Sequence, residues 1–361
     1  MWHPLSGRAA AAVRMESEKP APRAADAPLN ADDDDAQRST DAPLGAPHVA
    51  PGPLSADDLA QFVRDGYCLL PGAFPRDVAF DCRDALWRRV GDLGIAADDP
   101  ATWSLAPKGR LGLQDVFRES DLGAPWAECW SDRLRAALDQ LCGAGRWVDD
   151  DALGCGWWVV TFPGVANAPW GAEGSWHVDG HGYAHRVDSR EIGVLPIFLF
   201  SDVAARGGGT ALAPGSHRAV AELLWRAGAE GVPGPRLSAL AREALGAEAL
   251  AGDAVVETRG RAGDVMLTHP FLLHARSKNL RDVDAAAVRF MCHPAVRLAA
   301  PMRVADDGGA PSPVEPRARR ASRPRARRRR AADAAPAPRP ARRRERDAAA
   351  ARAGPWPPGW S

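Results

Sequence analysis

No stretch of about 18 uncharged apolar residues occurs in the chain, so nothing in it reads as a membrane-spanning helix. Cysteine is sparse: six in 361 residues, at positions 68, 82, 129, 142, 155 and 292, with no C-x-x-C pair. That scatter argues against a zinc ribbon or a disulfide scaffold and for reduced thiols in an intracellular protein. No G-x-S-x-G elbow and no G-x-x-x-x-G-K-[ST] loop is present, so serine-hydrolase and P-loop phosphate chemistry have no support. Internal repeats are absent too. The formal net charge is zero, but this is a cancellation. Between Arg317 and Arg352, 15 arginines face three acidic residues, which leaves 31 basic and 43 acidic side chains for the rest. The remainder is therefore acidic and has no electrostatic attraction for nucleic acid.

Three regions follow from composition. Residues 1–53 are rich in Ala, Pro and Asp, include the run "ADDDDA" and lack a hydrophobic period; they are expected to be a disordered extension. The opening "MWHPLSGRAAAAVRM" has two arginines and no acid, a weak likeness to organelle transit peptides, against which the scattered thiols favour a cytoplasmic location. Residues 54–304 carry the expected globular domain. Residues 305–361 end in an Arg, Ala and Pro tail read as disordered, with a counterion-releasing nucleic-acid arm as its functional alternative.

Within the domain, "LSADDLAQF" combines Ser55 with Asp58 as a capping box ahead of an amphipathic turn. Helices are expected at about 76–93, with Val78, Cys82, Ala85, Leu86 and Val90 inward, and at about 130–142. From residue 155 the texture changes to short β-rich runs: "CGWWVVTF", "GVLPIFLFSDV", "GTALAP", "AVVETRG", "DVMLTHPFLLHA" and "AAVRFMCHP". Gly, Pro and Asp separate them, the pattern of a sandwich or barrel. An Ala-rich helical insertion, about 219–250, interrupts them. The expected fold is mainly β with flanking α: a double-stranded β-helix (jelly roll, cupin-like) with helices packed outside.

The chemistry gathers in "GAEGSWHVDGHGYAHR", residues 171–186. In extended backbone, positions i and i+2 share a face, so His177 and Asp179 can direct an imidazole nitrogen and a carboxylate oxygen at one ion. Fe(II), Mn(II) and Zn(II) suit such a pair, and a third ligand must come from another strand. "GDVMLTHPFLLHARSKN" offers His269 and His274. They are an odd number of positions apart and would face opposite ways on one strand, although Pro270 can bend it. His274 is the preferred ligand, with His269 structural. Two histidines and one carboxylate leave open positions on iron, the arrangement of non-heme oxygenases. Many of these need a 2-oxo acid, whose distal carboxylate suits an arginine fork. "AAVRFMCHP" places Arg289 in an otherwise apolar strand, where a charge is costly unless paired.

The other polar motifs have plainer readings. Gly207–Gly209 is expected to be a strand turn or bulge. His217 is structural or substrate-facing, while His181, His185 and His293 are satisfied or exposed. Trp157, Trp158 and Trp170 are expected in the core.

Taken in order, "FVRDGYCLLPGAF", "SWHVDGHG", "GGGTALAPGSHR", "GDVMLTHPFLLHARSKN" and "VRFMCHP" resemble the phytanoyl-CoA dioxygenase family of Fe(II)/2-oxoglutarate oxygenases, over roughly residues 54–304. The resemblance implies that His177, Asp179 and His274 are the iron ligands and that 2-oxoglutarate and O2 are cosubstrates. It further implies that Arg289 anchors the 2-oxoglutarate C5 carboxylate, with Arg281 in "NLRDVD" as a rival at the spacing commoner among relatives. Where relatives often carry a small hydroxyl residue two positions after the distal histidine, this chain has Arg276; its neighbour Ser277 is the candidate for that cosubstrate contact. A carboxylate at 179, where related halogenases have Ala or Gly, implies hydroxylation of a small organic or acyl substrate. Two alternatives stand beside this reading: a cupin-type metal protein that does not use 2-oxoglutarate, and an inactive barrel with a basic binding tail. Substrate identity and oligomeric state are not legible.

Overall fold

The first ordered element forms as its sequence dictates. The Ser55 hydroxyl accepts from the Asp58 N–H at 3.2 Å, and the Asp58 carboxylate accepts from the Ser55 N–H at 2.8 Å, a reciprocal capping box on helix α1 (Ala56–Asp65). Gly66 stops that helix at φ 87°, a left-handed conformation that glycine adopts without steric cost. Helix α2 (Arg76–Gly91) buries Val78, Cys82, Leu86 and Val90 along one stripe, and α3 (Asp132–Cys142) is capped by the Ser131 hydroxyl. Both lie close to their expected bounds. The computed structural model describes residues 52–113, 123–150, 153, 156–164, 169–304 and 311–316. The expectations for 1–51 and for the Arg-rich segment from 317 onward lie outside the described residues.

Short strands follow: β1 (Tyr67–Leu70), β2 (Arg110–Gly112), β3 (Trp157–Thr161), β4 (Ala172–His177), β5 (Ala184–His185), β6 (Leu195–Leu199), β7 (Ala211–Leu212), β8 (Val232–Pro233), β9 (Val256–Glu257), β10 (Val265–Thr268), β11 (His274–Ser277) and β12 (Arg289–His293). They build a six-stranded sheet, β1-β10-β6-β12-β3-β2, and a four-stranded sheet, β4-β11-β7-β9, while β5 pairs with β8. All ladders are antiparallel.

Alternation along the strands decides what each face meets. On the six-stranded sheet, Phe198, Val265, Leu267, Phe290 and Cys292 face outward into the core that α1, α2 and α3 complete. Ile197, Leu199, Met266 and Met291 face inward, where they meet Leu212 of the other sheet. The outer face of the four-stranded sheet, with Ala211, Ala213 and Ala275, is covered by α4 (Ser216–Ala227) and α5 (Gly234–Leu245) through Val220, Leu224, Leu237 and Ala241. Two sheets face to face with helices on both outer sides make the expected jelly roll. Trp158 stacks on Phe200 at 5.6 Å and receives the edge of Trp126 at 5.0 Å. Each ring buries roughly 150–250 Å² and each pair adds about 0.5–1.5 kcal/mol. Trp158 is thus core, as expected, and does not wall the inner cavity.

Two expectations need correction. "DVMLTHPFLLHA" is not one bent strand but two strands in different sheets. Pro270 has no N–H for a ladder, the Leu272 N–H turns back to the His269 carbonyl at 2.9 Å, and the chain crosses from β10 to β11. The parity argument between His269 and His274 therefore has no strand to act on. The domain boundary at 304 also falls short. Val314 is buried, donates its N–H to the Leu141 carbonyl at 3.2 Å, and accepts from His269 Nε2 at 3.0 Å. Glu315 is buried against Arg146 at 2.7 Å. No helix among the described residues is long and apolar enough to cross a membrane.

Candidate metal centre

Strand β4 ends at His177. Trp176 and Val178 are buried in the core beneath α4 and α5, so alternation turns His177 and Asp179 to the inner side, each side chain 31% exposed. Strand β11 lays His274 directly opposite His177. Asp179 Oδ1 stands 3.4 Å from His177 Nε2 and 3.5 Å from His274 Nε2, and the three ligand atoms all lie within 4.8 Å of one another. With metal–ligand bonds of about 2.1 Å, ligands at right angles stand about 3 Å apart, so a small inward adjustment closes these atoms on one first-row ion.

The tautomer is fixed from behind. His274 Nδ1 lies 3.1 Å from the Leu272 carbonyl, which can only accept, so Nδ1 carries the proton and Nε2 keeps its lone pair for the site. Burial opposes charge on Asp179, but the imidazoles of His274 and His177 outweigh it and hold the carboxyl well below the usual carboxylate range. Burial likewise opposes protonation of His274, and the Asp179 carboxylate overcomes it and raises the ring's pKa. A divalent cation would meet the same electrostatic demand in place of that proton.

Across the cavity, Arg289, Met291 and His293 share the inner face of β12. Arg289 is 3% exposed. Its Nη2 donates to the hydroxyl of Thr161, its register partner on β3, and its Nη1 contacts the Met291 sulfur. Its Nε is buried without a partner, and among the described residues no carboxylate pairs with the guanidinium. Burial, then the charge of Arg110, push its pKa down to about 9, which still leaves a cation at neutral pH. A buried guanidinium with an unused donor suits a planar carboxylate. The rival Arg281 is exposed, in the loop after β11, so of the two only Arg289 is inside. The residues fit both groups that the resemblance implies, a first-row metal and a dicarboxylate.

Ser277 does not join them. It is one position out of phase with Arg276, and its buried hydroxyl donates to the Gly209 carbonyl at 2.6 Å. Arg276 instead shares the inner face with His274, and its Nε donates to the Glu173 carbonyl at 3.0 Å. His269 is buried between His217 and Phe271, with rings 4.9 and 5.3 Å away, and is structural as expected. His217 Nε2 lies 3.3 Å from the Val63 carbonyl, and its Nδ1 is buried without a partner. His185 bonds the Gly180 carbonyl at 2.9 Å, while His181 is exposed with its ring 5.9 Å from that of His177.

Three further residues escaped the sequence reading. Thr161 and Arg110 become relevant only through their register with Arg289, which no local pattern carries. Glu257 could have been found: it is an acid in the alternating run "VVETRG". Its carboxylate accepts from the N–H groups of Arg206, Gly208 and Gly209 at 2.7, 3.0 and 3.1 Å. The glycine-rich segment thus cradles a buried carboxylate, an anion nest on the face of the sheet that carries Ala211, the register partner of Glu257.

The family profile described as Phytanoyl-CoA dioxygenase (PhyH) matches residues 62–282. No curated protein matches the chain. Among solved structures, the chain is similar to the non-heme alpha ketoglutarate dependent carbocyclase SnoK from nogalamycin biosynthesis. Identity is 18% over 70% of this chain and 87% of SnoK, with a TM-score of 0.39. EctD from S. alaskensis, with 2-oxoglutarate and 5-hydroxyectoine, is 19% identical over 69% of this chain and 79% of its own, TM-score 0.40. HygX from Streptomyces hygroscopicus, with nickel, 2-oxoglutarate and hygromycin B bound, is 17% identical over 70% and 92%, TM-score 0.39.

Proposed function

Because the chain belongs to the phytanoyl-CoA dioxygenase (PhyH) family, we propose that it is an Fe(II)- and 2-oxoglutarate-dependent oxygenase that hydroxylates a small organic or acyl substrate. In that reaction the substrate C–H and O2 become a C–OH, while 2-oxoglutarate is converted to succinate and CO2. The ferrous ion, when bound, supplies the oxygen chemistry. His177, Asp179 and His274 would hold one face of it and leave the opposite positions open. Arg289, steadied by the Thr161 hydroxyl, would orient the distal carboxylate of the cosubstrate. Leu212, Met266 and Met291 form the apolar filling between the sheets and would keep water from the reacting atoms. The carboxylate at 179 supports hydroxylation by filling the position that a halide would need.

The observation that carries this reading is Arg289: buried, facing the inner cavity, with a donor unused. A metal protein that did not take a dicarboxylate would leave that charge without a purpose. The five described cysteines are free and buried, which supports the cytoplasmic location.

Anaerobic Fe(II) protein titrated with 2-oxoglutarate tests the proposal. A visible charge-transfer band that saturates with 2-oxoglutarate, together with succinate release in air, is the expected result. Stoichiometric Fe(II) binding with no response to 2-oxoglutarate would favour the cupin-type alternative.

A further inference from the structure

Asp179 lies past the end of β4, so the ladder that aligns the two histidines does not reach it. The helical insertion holds it instead. β4 is an edge strand of its sheet, and the peptide groups on its open side need partners from elsewhere. Helix α5 supplies them. Arg242 Nη1 donates to the Trp176 carbonyl at 2.7 Å, and the Val178 N–H donates to the Ser238 hydroxyl at 3.2 Å. That hydroxyl gives its own proton to the Gly234 carbonyl at 3.0 Å, which leaves its oxygen as the acceptor for Val178. Ser238 is 2% exposed and Val178 is fully buried, so the bond forms out of solvent.

The far side of Asp179 is held as well. The Gly180 carbonyl accepts from His185 Nε2 at 2.9 Å. His185 lies on β5, and its register partner Val232 lies on β8, immediately before α5. At the start of that helix, the Gly234 N–H donates to the Tyr183 carbonyl at 3.3 Å. The approach is close: a Cβ on Gly234 would stand 2.6 Å from the Gly180 carbonyl oxygen and 3.0 Å from His181 Cα, so glycine alone fits there.

We propose that Ser238 and His185 are positioning residues for the metal centre: they clamp the peptide groups on either side of Asp179 and so aim its carboxylate at the ion. A ligand must be held to within about 0.5 Å of its productive place by its surroundings, and outside the ladder this clamp does so. The insertion that covers the four-stranded sheet thereby sets the geometry of the site on the sheet's other face. This rests on the reading of His177, Asp179 and His274 as metal ligands and adds what fixes the one that no strand pairing holds.

The test titrates the metal-free full chain with Co(II), whose visible d–d bands report both occupancy and coordination geometry. The unsubstituted protein is expected to bind one equivalent. Ser238→Ala takes the acceptor from the Val178 N–H. His185→Phe removes the donor to Gly180 and keeps a ring against Tyr183, whose centroid is 4.4 Å away. Each is expected to weaken Co(II) binding ~10-fold, the low end for groups behind a metal ligand, and to change the d–d spectrum at saturation. Leu224→Ala, which opens a cavity beneath α4 in the same outer core, controls for general loosening: it should lower the urea midpoint and leave Co(II) affinity within about twofold. Should Ser238→Ala fail to fold, His185→Phe, on the other side of Asp179, decides the question. Two results overturn the proposal alone: both variants bind Co(II) as the parent does, or Leu224→Ala weakens binding as much as they do. Absence of Co(II) binding by the unsubstituted protein is a separate failure, which removes the metal centre and the positioning role with it.

Discussion

His274 and His177 face each other across the β4–β11 ladder with ring centroids 4.4 Å apart, and immediately beyond them the ladder slips, so that Arg276 pairs with Glu173. Antiparallel pairing brings the two imidazoles together, and the bulge then re-aims the residues that follow. The two histidines are thus fixed by main-chain hydrogen bonds of the ladder, and Asp179 follows two residues past the end of β4.

Removing a ligand should therefore abolish metal binding without unfolding the protein. Asp179→Ala and His274→Ala are each expected to weaken Fe(II) binding by more than ~100-fold, since even residues behind the ligands cost 10–100-fold when lost. Equilibrium dialysis with metal analysis, beside a circular dichroism spectrum, measures this. Near-normal Fe(II) content or succinate release by either variant would remove the ligand assignment.

The two candidate anchors separate cleanly. Arg289→Gln should raise the 2-oxoglutarate concentration for half-maximal succinate release by ~10- to 100-fold, as expected for a charge-assisted pair in a buried place. Arg281→Gln, in an exposed loop, should change it by less than about twofold. The reverse order of effects would move the anchor to Arg281.

These expectations show where sequence reading succeeds and where it stops. His177 and Asp179 were legible because the period of two is local and Trp176 and Val178 mark the buried face. His274 was legible through its surrounding motif, although the parity argument offered for it assumed a continuous strand that Pro270 breaks. Ser277 failed for a related reason: nearness in sequence to His274 does not survive alternation, and its hydroxyl went to Gly209. Arg110 and Thr161 could not be found at all. Their meaning lies in the β2-β3-β12 register, and register is set by pairing between distant segments. Residues 311–316 were misjudged because Val314 and Glu315 sit next to an arginine tail whose composition masked a short docking segment.

Glu257 supplies a stability test. One of its carboxylate oxygens serves the Arg206 N–H and the other serves Gly208 and Gly209. Glu257→Gln keeps the shape but turns an NH2 group toward an N–H in either amide orientation. The expected cost is about 2 kcal/mol, that of leaving buried donors unsatisfied, read as a lower urea midpoint at unchanged slope. An unchanged midpoint would mean that the cradle does not need its charge.

Acid sensitivity should trace in part to His217. Burial, with a smaller push from Arg218, lowers its pKa from the ordinary 6.5 to about 4. Its Nε2 is taken by the Val63 carbonyl, and its Nδ1 has no acceptor for a second proton. The unfolded chain binds that proton near pH 6.5 whereas the folded chain resists until about 4. Stability is therefore fully present above pH 6.5, declines as the pH falls through that window, and stops declining below about 4. The full difference amounts to about 3 kcal/mol at most. His217→Gln keeps a donor for Val63 and removes the titration, so its unfolding free energy should fall less between pH 7.5 and 5 than that of the parent protein. Comparing the two in urea cancels contributions from titrating groups remote from His217; His269, whose pKa is held down by burial and then by the His217 charge, is coupled to it and shifts with the substitution. Parallel losses in both proteins would show that His217 takes up its proton in the folded state as readily as in the unfolded one.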